Sequence, residues 1–281
     1  MSVTSEESCR RAQDGLPARV VRYWAKEKLH YFKRFIDIFT TSMRRKWKER
    51  VYVDLFAGPG RCILDPGQEE IDGSPLVALT VKHPFSKYVF VEKNRSLADA
   101  LGQRVDGLGL DIKPKYYVGD CNSLIPEIRK ELPPDALSFV FIDPTGLQIN
   151  WDSVVELVTD RRVDILFTFM YHQGIKRNIT GSLELTDTRM DRFLPPGFDW
   201  KGYHKKCGMK PSDTAMAILD HYIASLNKLG YREISVEDDL ISVSSSGRRY
   251  LYFLLFASKH PLGMKFWRED IKKPFSQYRL L

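Results

Sequence analysis

The sequence predicts an α/β fold built on a parallel sheet, and three observations predict it. Short apolar runs recur at five places, each followed by a stretch with helical patterning. The first run, Val51-Tyr52-Val53-Asp54-Leu55, leads into the glycine turn Phe56-Ala57-Gly58-Pro59-Gly60. Four runs close on an acid: Asp54, Glu92, Asp120 and Asp143. In a doubly wound sheet, right-handed crossovers gather the carboxyl ends of the parallel strands on one edge, where a nucleotide-sized crevice opens.

Each element carries its own signal. Residues 1–17 are polar, contain Gly15, end on Pro17 and read as disordered. Val20 to Trp47 reads as a helix, because Leu29, Phe32, Ile36 and Phe39 recur at spacings of three and four. The strand at 51–55 is followed by an insertion, Arg61 to Gly73. A helix then starts at Ser74-Pro75, with Ser at the N-cap and Pro in the first turn, where its missing N–H costs nothing. Lys87–Glu92 is the second strand and Ser96–Val105 its helix. Lys115–Val118 is the third strand, ending at Gly119-Asp120, with a helix from Asn122 to Lys130. Leu137–Ile142 is nearly all apolar, as a central parallel strand is, and ends at Asp143-Pro144. Asp152–Thr159 is a helix and Val163–Met170 the fifth strand.

Residues 171–211 break the rhythm and read as an insertion lobe over the sheet edge. Met216–Leu229 is a helix. Tyr231–Val243 and Arg249–Phe256 read as two strands joined by Ser244-Ser245-Ser246-Gly247. A terminal antiparallel hairpin after five βα units belongs to class I methyltransferase sheets of the Rossmann type. Residues 18–281 therefore read as one domain, with 18–50 as a basic helical lead-in.

Composition narrows the class. Hydrophobic residues make up 43% and charged residues 28% of 281, ordinary values for a globular protein. No apolar run approaches the roughly 20 residues of a membrane helix, and residues 1–14 lack the apolar core of a signal peptide. A cytoplasmic location is expected. The four cysteines, Cys9, Cys62, Cys121 and Cys207, form no C-x-x-C pair. His204 and Cys207 make one isolated H-x-x-C, and no metal site is predicted. The net charge of +7 is concentrated: residues 19–50 hold eleven basic residues against three acidic ones. Arg44, Arg45 and Lys46 there, with Lys176 and Arg177 farther on, are candidate nucleic-acid contacts. The plainer alternative is a packing helix with a solvated charged face.

The strand-end acids suggest separate tasks. Glu92, about thirty residues after the glycine turn, suits the two hydroxyls of a ribose. Asp120 suits an adenine amino group, with Cys121 and Asn122 supplying backbone donors. Asp54 suits an ammonium group, and Phe56, Gly58 and Gly60 form the turn against which the ligand would lie. Asp143, Pro144 and Gly146 would face the reacting partner. Each acid has a structural alternative: a helix cap for Asp120, a surface pair with Lys93 or Arg95 for Glu92, an ordinary turn for Asp143. A dinucleotide site places a helix directly after the turn to seat a pyrophosphate, and here the helix is delayed to Ser74. A P-loop requires G-K-[ST], and Gly60-Arg61-Cys62 does not supply it. S-adenosylmethionine, an adenosine ligand without a pyrophosphate, fits better.

Taken in order, these motifs resemble a known family. Asp54-x-Phe56-Ala57-Gly58-Pro59-Gly60-Arg61-Cys62, Gly73-Ser74-Pro75, Phe90-Val91-Glu92, Gly119-Asp120-x-Asn122 and Phe141-Ile142-Asp143-Pro144-x-Gly146 are similar to those of the three-Cys-motif partner proteins (TcmP). The lead-in Lys26-x-Lys28-Leu29 and the tail from Ser258 to Trp267 fit the same pattern. The resemblance spans about residues 22 to 270. It implies a class I methyltransferase-like Rossmann fold and a partner that is a radical-SAM-like protein carrying three cysteines. By position, Gly58, Gly60, Glu92 and Asp120 resemble the cofactor-binding set, and Asp143, Pro144 and Gly146 the motif beside the transferred methyl. Amino-group methyltransferases acting on bases carry D-P-P followed by an aromatic residue; Thr145 and Gly146 stand in the last two places here. Two other functional classes remain open: a non-catalytic assembly partner that keeps the fold, and a metal-dependent nucleic-acid enzyme using Asp54, Glu92 and Asp143.

Overall fold

The computed structural model describes residues 9–271, apart from 207, 209, 232–233 and 245–249. The chain falls into two compact units that meet in sequence between Phe141 and Ile142.

The first unit opens on a hairpin. β1 (Cys9–Arg11) and β2 (Pro17–Val21) pair antiparallel, with Arg10 opposite Ala18. Residues 9–17, expected to be disordered, are therefore ordered. The turn supplies the reason: Gly15 takes φ +77°, and Asp14 accepts from the Leu16 N–H. Residues 1–8 lie outside the described residues. α1 (Trp24–Met43) follows, shorter at both ends than the expected Val20–Trp47, and it starts later because Pro17–Val21 is drawn into strand pairing. It buries Phe32, Phe35, Ile36 and Phe39. Phe32 meets Phe141 at 4.6 Å and Phe35 meets Phe139 at 4.9 Å between ring centroids. Fully burying each such ring is worth about 2–3 kcal/mol.

β3 (Arg50–Asp54) is the pivot of the unit. The insertion after it is itself structured. β4 (Arg61–Leu64) and β5 (Glu70–Asp72) are antiparallel to each other, and β4 runs parallel to β2, giving a four-stranded sheet in the order β1-β2-β4-β5. α2 (Ser74–Leu79) has Gly73, not Ser74, at its N-cap, with Pro75 in the first turn. The Ser74 hydroxyl is spent elsewhere, on Asp54. β6 (Lys87–Glu92), α3 (Arg95–Asp106), β7 (Lys115–Val118), α4 (Cys121–Lys130) and β8 (Leu137–Ile142) complete the alternation within one or two residues of expectation. β3 pairs in parallel with β6 on one side and β8 on the other, and β6 pairs in parallel with β7. The chain thus steps outward from β3 through β6 to β7, then returns to the far side of β3. That reversal is the topological switch point of a Rossmann-like sheet.

The second unit contains α5 (Trp151–Val158), β9 (Arg162–Phe169), a π-helical turn at Tyr171–Lys176 and the short helices α6 (Ile179–Ser182), α7 (Arg189–Phe193) and α8 (Trp200–Lys206). The long α9 (Pro211–Lys228) starts five residues before its apolar pattern, at Pro211. Phe167, Phe169, Phe193, Tyr222 and Trp151 form its aromatic core. Residues 171–211, expected to be an irregular lobe, are thus largely helical and anchored through Phe193. The stretch expected to be one strand from Tyr231 is divided: Ser235 caps a short α10 (Val236–Asp239) before β10 (Leu240–Ser244). β10 pairs antiparallel with β11 (Tyr250–Ala257), which pairs antiparallel with β9. The terminal antiparallel hairpin is present; its turn at 245–247 lies outside the described residues. In the following α11 (Pro261–Phe266), His260 is the cap, accepting from the Leu262 N–H. Trp267 is fully buried and donates to the Asp239 carbonyl at 2.6 Å. The tail motif is thus used for packing.

Candidate functional site

The site is built at the carboxyl edge of the first unit's parallel sheet, where β3, β6 and β7 give way to turns. Backbone hydrogen bonds knit those turns together. Ala57 N–H donates to the Val91 carbonyl at 2.9 Å, Gly119 N–H to the Glu92 carbonyl at 3.1 Å, and Gly73 N–H to the Gly60 carbonyl at 2.8 Å. The glycine turn, the Glu92 turn and the Asp120 turn are therefore neighbours held by rigid elements.

Glu92 is the centre of the arrangement. Its side chain is only 7% exposed, and both carboxylate oxygens are engaged. Oε1 accepts from the Asn94 N–H at 2.9 Å. Oε2 accepts from the Gly58 N–H at 2.9 Å and from Arg19 Nη2 at 3.2 Å. Neither Lys93 nor Arg95 is its partner: Lys93 reaches Asp120, at 3.0 Å. A buried carboxylate needs such donors, because an uncompensated charge there would be costly.

The two turn glycines have different reasons to be glycine. Both have positive φ, +64° at Gly58 and +79° at Gly60. A Cβ on Gly60 would stand 2.8 Å from Leu101 Cδ1, so its bareness serves packing of α3 and α2. A Cβ on Gly58 would meet only the Arg19 side chain, at 3.3 Å from Nε. Gly58 is buried, and the Arg19 side chain lies over it.

Asp54 does not stand at the mouth. It is fully buried and accepts from the Tyr52 hydroxyl at 3.0 Å, the Phe56 N–H at 3.1 Å and the Ser74 hydroxyl at 2.6 Å. It ties the end of β3 to the half-buried Phe56 turn and to α2, and donors of the chain fill the place that an ammonium group was expected to take. Asp120 is the N-cap of α4, accepting from the Asn122 N–H at 3.1 Å and Asn122 Nδ2 at 2.9 Å. Burial pushes its carboxyl up, but Lys93 and Asn122 outweigh it and hold the group below its ordinary value. Its side chain remains 42% exposed, the most accessible of Asp54, Glu92 and Asp120. Cys121 is buried, and desolvation followed by the charge of Asp120 pushes its thiol up to about 12. It stays protonated and is no nucleophile.

Asp143, Pro144 and Gly146 belong to the second unit and directly follow β8 in the chain. Gly146 N–H donates to Gln148 Oε1 at 2.7 Å, and Gln148 Nε2 donates to the Thr145 hydroxyl at 2.7 Å. The Asp-Pro-Thr-Gly segment is thus braced by its own Gln148. Arg44, Arg45 and Lys46 are exposed just past α1, and Arg44 Nη1 lies 3.3 Å from His83 Nε2. Lys176 and Arg177 close the π-helical turn of the second unit, Lys176 half-buried and Arg177 exposed. Among the described residues, no group of three or more His, Cys, Asp or Glu is placed to hold a metal ion, and no helix is long and apolar enough to cross a membrane.

Two site residues escape a reading of motifs. Arg104 of α3 is 4% exposed in its side chain and gathers the N-terminal hairpin to the glycine turn. It donates to both Asp14 oxygens at 2.8 and 2.9 Å and to the Leu16, Pro17 and Pro59 carbonyls at 3.3, 2.7 and 2.6 Å. Its one signal in the sequence is position: it falls on the apolar face of α3 with Leu97 and Leu101. Arg19 is hidden by its setting in a general run of basic residues.

No protein-family model matches the sequence, and no curated protein matches it. Distant likeness is found among solved structures. A protein from Legionella pneumophila has a TM-score of 0.45 at 11% identity, over 86% of this chain and 90% of that one. M. jannaschii TYW2 in complex with AdoMet has a TM-score of 0.42 at 11% identity, over 89% and 84%. The O-methyltransferase TomG from Streptomyces achromogenes, in complex with SAM, has a TM-score of 0.39 at 12% identity, over 85% and 90%.

Proposed function

We propose that this protein binds S-adenosylmethionine and acts as a methyltransferase. One observation carries the reading: a buried carboxylate, Glu92, at the end of the strand beside the switch point, hydrogen-bonded to the bare glycine turn that follows the first strand. This is where an open parallel sheet offers its ligand crevice, and a carboxylate there suits a ribose diol. Asp120, next to it and partly exposed, suits the adenine amino group. The three methyltransferase-type features of the chain (turn, two acids, terminal antiparallel hairpin) agree with this choice. When bound, the cofactor supplies an electrophilic methyl group. Transfer then depends mostly on alignment, so no strong nucleophile is required of the protein. Asp143, Pro144 and Gly146 are proposed to orient the acceptor.

Calorimetric titration with S-adenosylmethionine and S-adenosylhomocysteine tests the proposal. Binding of both is expected, with at least a tenfold loss in an Asp120→Ala, Glu92→Ala double variant. Absence of binding by the intact protein removes the reading. By its resemblance to the TcmP family, the protein is further proposed to act with a radical-SAM-like protein carrying three cysteines; co-purification of the two chains is the measurement. Nucleic acid is proposed as the polyanion that meets the exposed cations at the end of α1.

A further inference from the structure

We infer that Arg19 is a displaceable counter-ion that gates the crevice, so that the N-terminal hairpin controls ligand access to Glu92. The inference rests on the reading that the crevice takes S-adenosylmethionine. Four observations within the first unit support it. Glu92 Oε2 already accepts two hydrogen bonds, one from Gly58 N–H and one from Arg19 Nη2. A carboxylate oxygen offers about two lone-pair sites, so Oε2 has none left for a ribose hydroxyl while Arg19 stays. The Gly58 and Asn94 donors are backbone groups fixed by the turn, whereas Arg19 donates from the end of a long side chain that is 28% exposed. Its stem crosses the bare face of Gly58, the surface a ligand would use.

Nothing else requires the arginine to point there. The hairpin is held without it: β2 is paired with both β1 and β4, and Arg104 clamps Asp14, Leu16 and Pro17 to the Pro59 carbonyl. The backbone of residue 19 is thus set firmly beside the turn by strand pairing, and its side chain is the part of the contact that rotatable bonds leave adjustable. In the ligand-free protein the guanidinium compensates the buried carboxylate. Oε1 keeps one site beside its bond from Asn94, so a ribose diol that engages both carboxylate oxygens has to displace the guanidinium from Oε2, and the affinity measured is lowered by the fraction of molecules with the latch closed.

The test is titration of the full-length wild type, Arg19→Ala and Arg19→Gln with S-adenosylmethionine. Both variants are expected to bind at least fivefold tighter than the wild type. Equal or weaker binding by the variants, with wild-type binding measured, overturns the latch and leaves the cofactor reading intact. Binding by none of the three proteins overturns both. Should the variants fail to fold, the Nε–H resonance of Arg19 in the wild type, followed by NMR, decides the matter. A shift on saturation with S-adenosylmethionine is expected; an unmoved resonance overturns the proposal.

Discussion

At the scale of single residues, the glycine turn separates shape from chemistry. Gly58 and Gly60 sit two residues apart in the same left-handed conformation, yet a side chain would meet flexible guanidinium at one and packed leucines at the other. Alanine pays the left-handed backbone cost of about 1–2 kcal/mol at either place. At Gly60 it also forces Leu101 aside, adding about 1–3 kcal/mol of overpacking. Gly60→Ala is therefore expected to lower stability clearly more than Gly58→Ala, measured by denaturant unfolding. Gly58→Ala is expected to have the larger effect relative to its stability cost on S-adenosylmethionine affinity. The same separation holds for the acids. Asp54 and Glu92 end adjacent parallel strands, but Asp54 has turned its carboxylate inward to Tyr52, Phe56 and Ser74, whereas Glu92 stays at the turn. Sequence alone marks both as strand-end acids. Only the neighbours, a tyrosine two residues back and a serine twenty residues on, tell which is framework.

At the scale of elements, the parallel strands were legible because their signals are local. Lys87–Glu92, Lys115–Val118 and Leu137–Ile142 are bounded by turns and acids, and each forms over that span. The N-terminal hairpin was not legible. Its strands are short, β1 carries two arginines and β2 opens on a proline, and besides its turn the hairpin is held by a residue about ninety positions away, Arg104, which no local pattern reveals. Arg104→Ala removes these bonds and leaves Asp14 only its bond from the Leu16 N–H. It is expected to speed tryptic cleavage after Arg10, Arg11 and Arg19 several-fold, and to cost about 1–2 kcal/mol, since the Asp14 left behind is 37% exposed and solvated. The hydrogen bond from Arg104 holds Asp14 below its ordinary value despite partial burial. The stability that this pair contributes is thus complete above about pH 4 and is lost as pH falls through the lower folded value. Asp164 on β9 has the opposite sign. Burial pushes it up to about 7, against a hydrogen bond from Ser258. A raised carboxyl contributes most below the unfolded value near 4, and its contribution falls as pH rises to about 7. The melting temperature of the wild type is expected to drop from pH 5 to pH 8 by more than that of Asp164→Asn; parallel curves would contradict this.

At the scale of the whole molecule, the charge distribution decides where a polyanion can sit. Within the first unit, the basic cluster and the crevice lie at opposite ends of the same strands. Arg44, Arg45 and Lys46 precede β3, and Lys82 and His83 precede β6, whereas Asp54 and Glu92 end those strands. From Arg50 to Asp54 the rise is roughly 13 Å. A polyanion held at the basic end is therefore anchored away from Glu92 rather than competing for it. The two basic turns converge: Arg50 donates to the Trp47 and Pro84 carbonyls, and Arg44 reaches His83. Desolvation, then the charges of Arg44, Lys82 and Arg50, hold the His83 imidazole below its ordinary value. His83 thereby reports the local positive potential. Binding of single-stranded RNA at this end is expected to weaken steeply with salt, and an Arg44→Ala, Arg45→Ala, Lys46→Ala variant to reduce the slope of log K against log salt by about 2. A bound anion offsets the charges of Arg44, Lys82 and Arg50, whereas the contact adds to desolvation, so the His83 pKa is expected to change on binding, followed by NMR titration of the imidazole protons. S-adenosylmethionine affinity in the triple variant is expected to match the wild type, since the crevice lies at the other end of the strands. RNA retention that ignores salt, or a His83 imidazole whose titration is unchanged when RNA is bound, would place any nucleic-acid contact elsewhere on the protein.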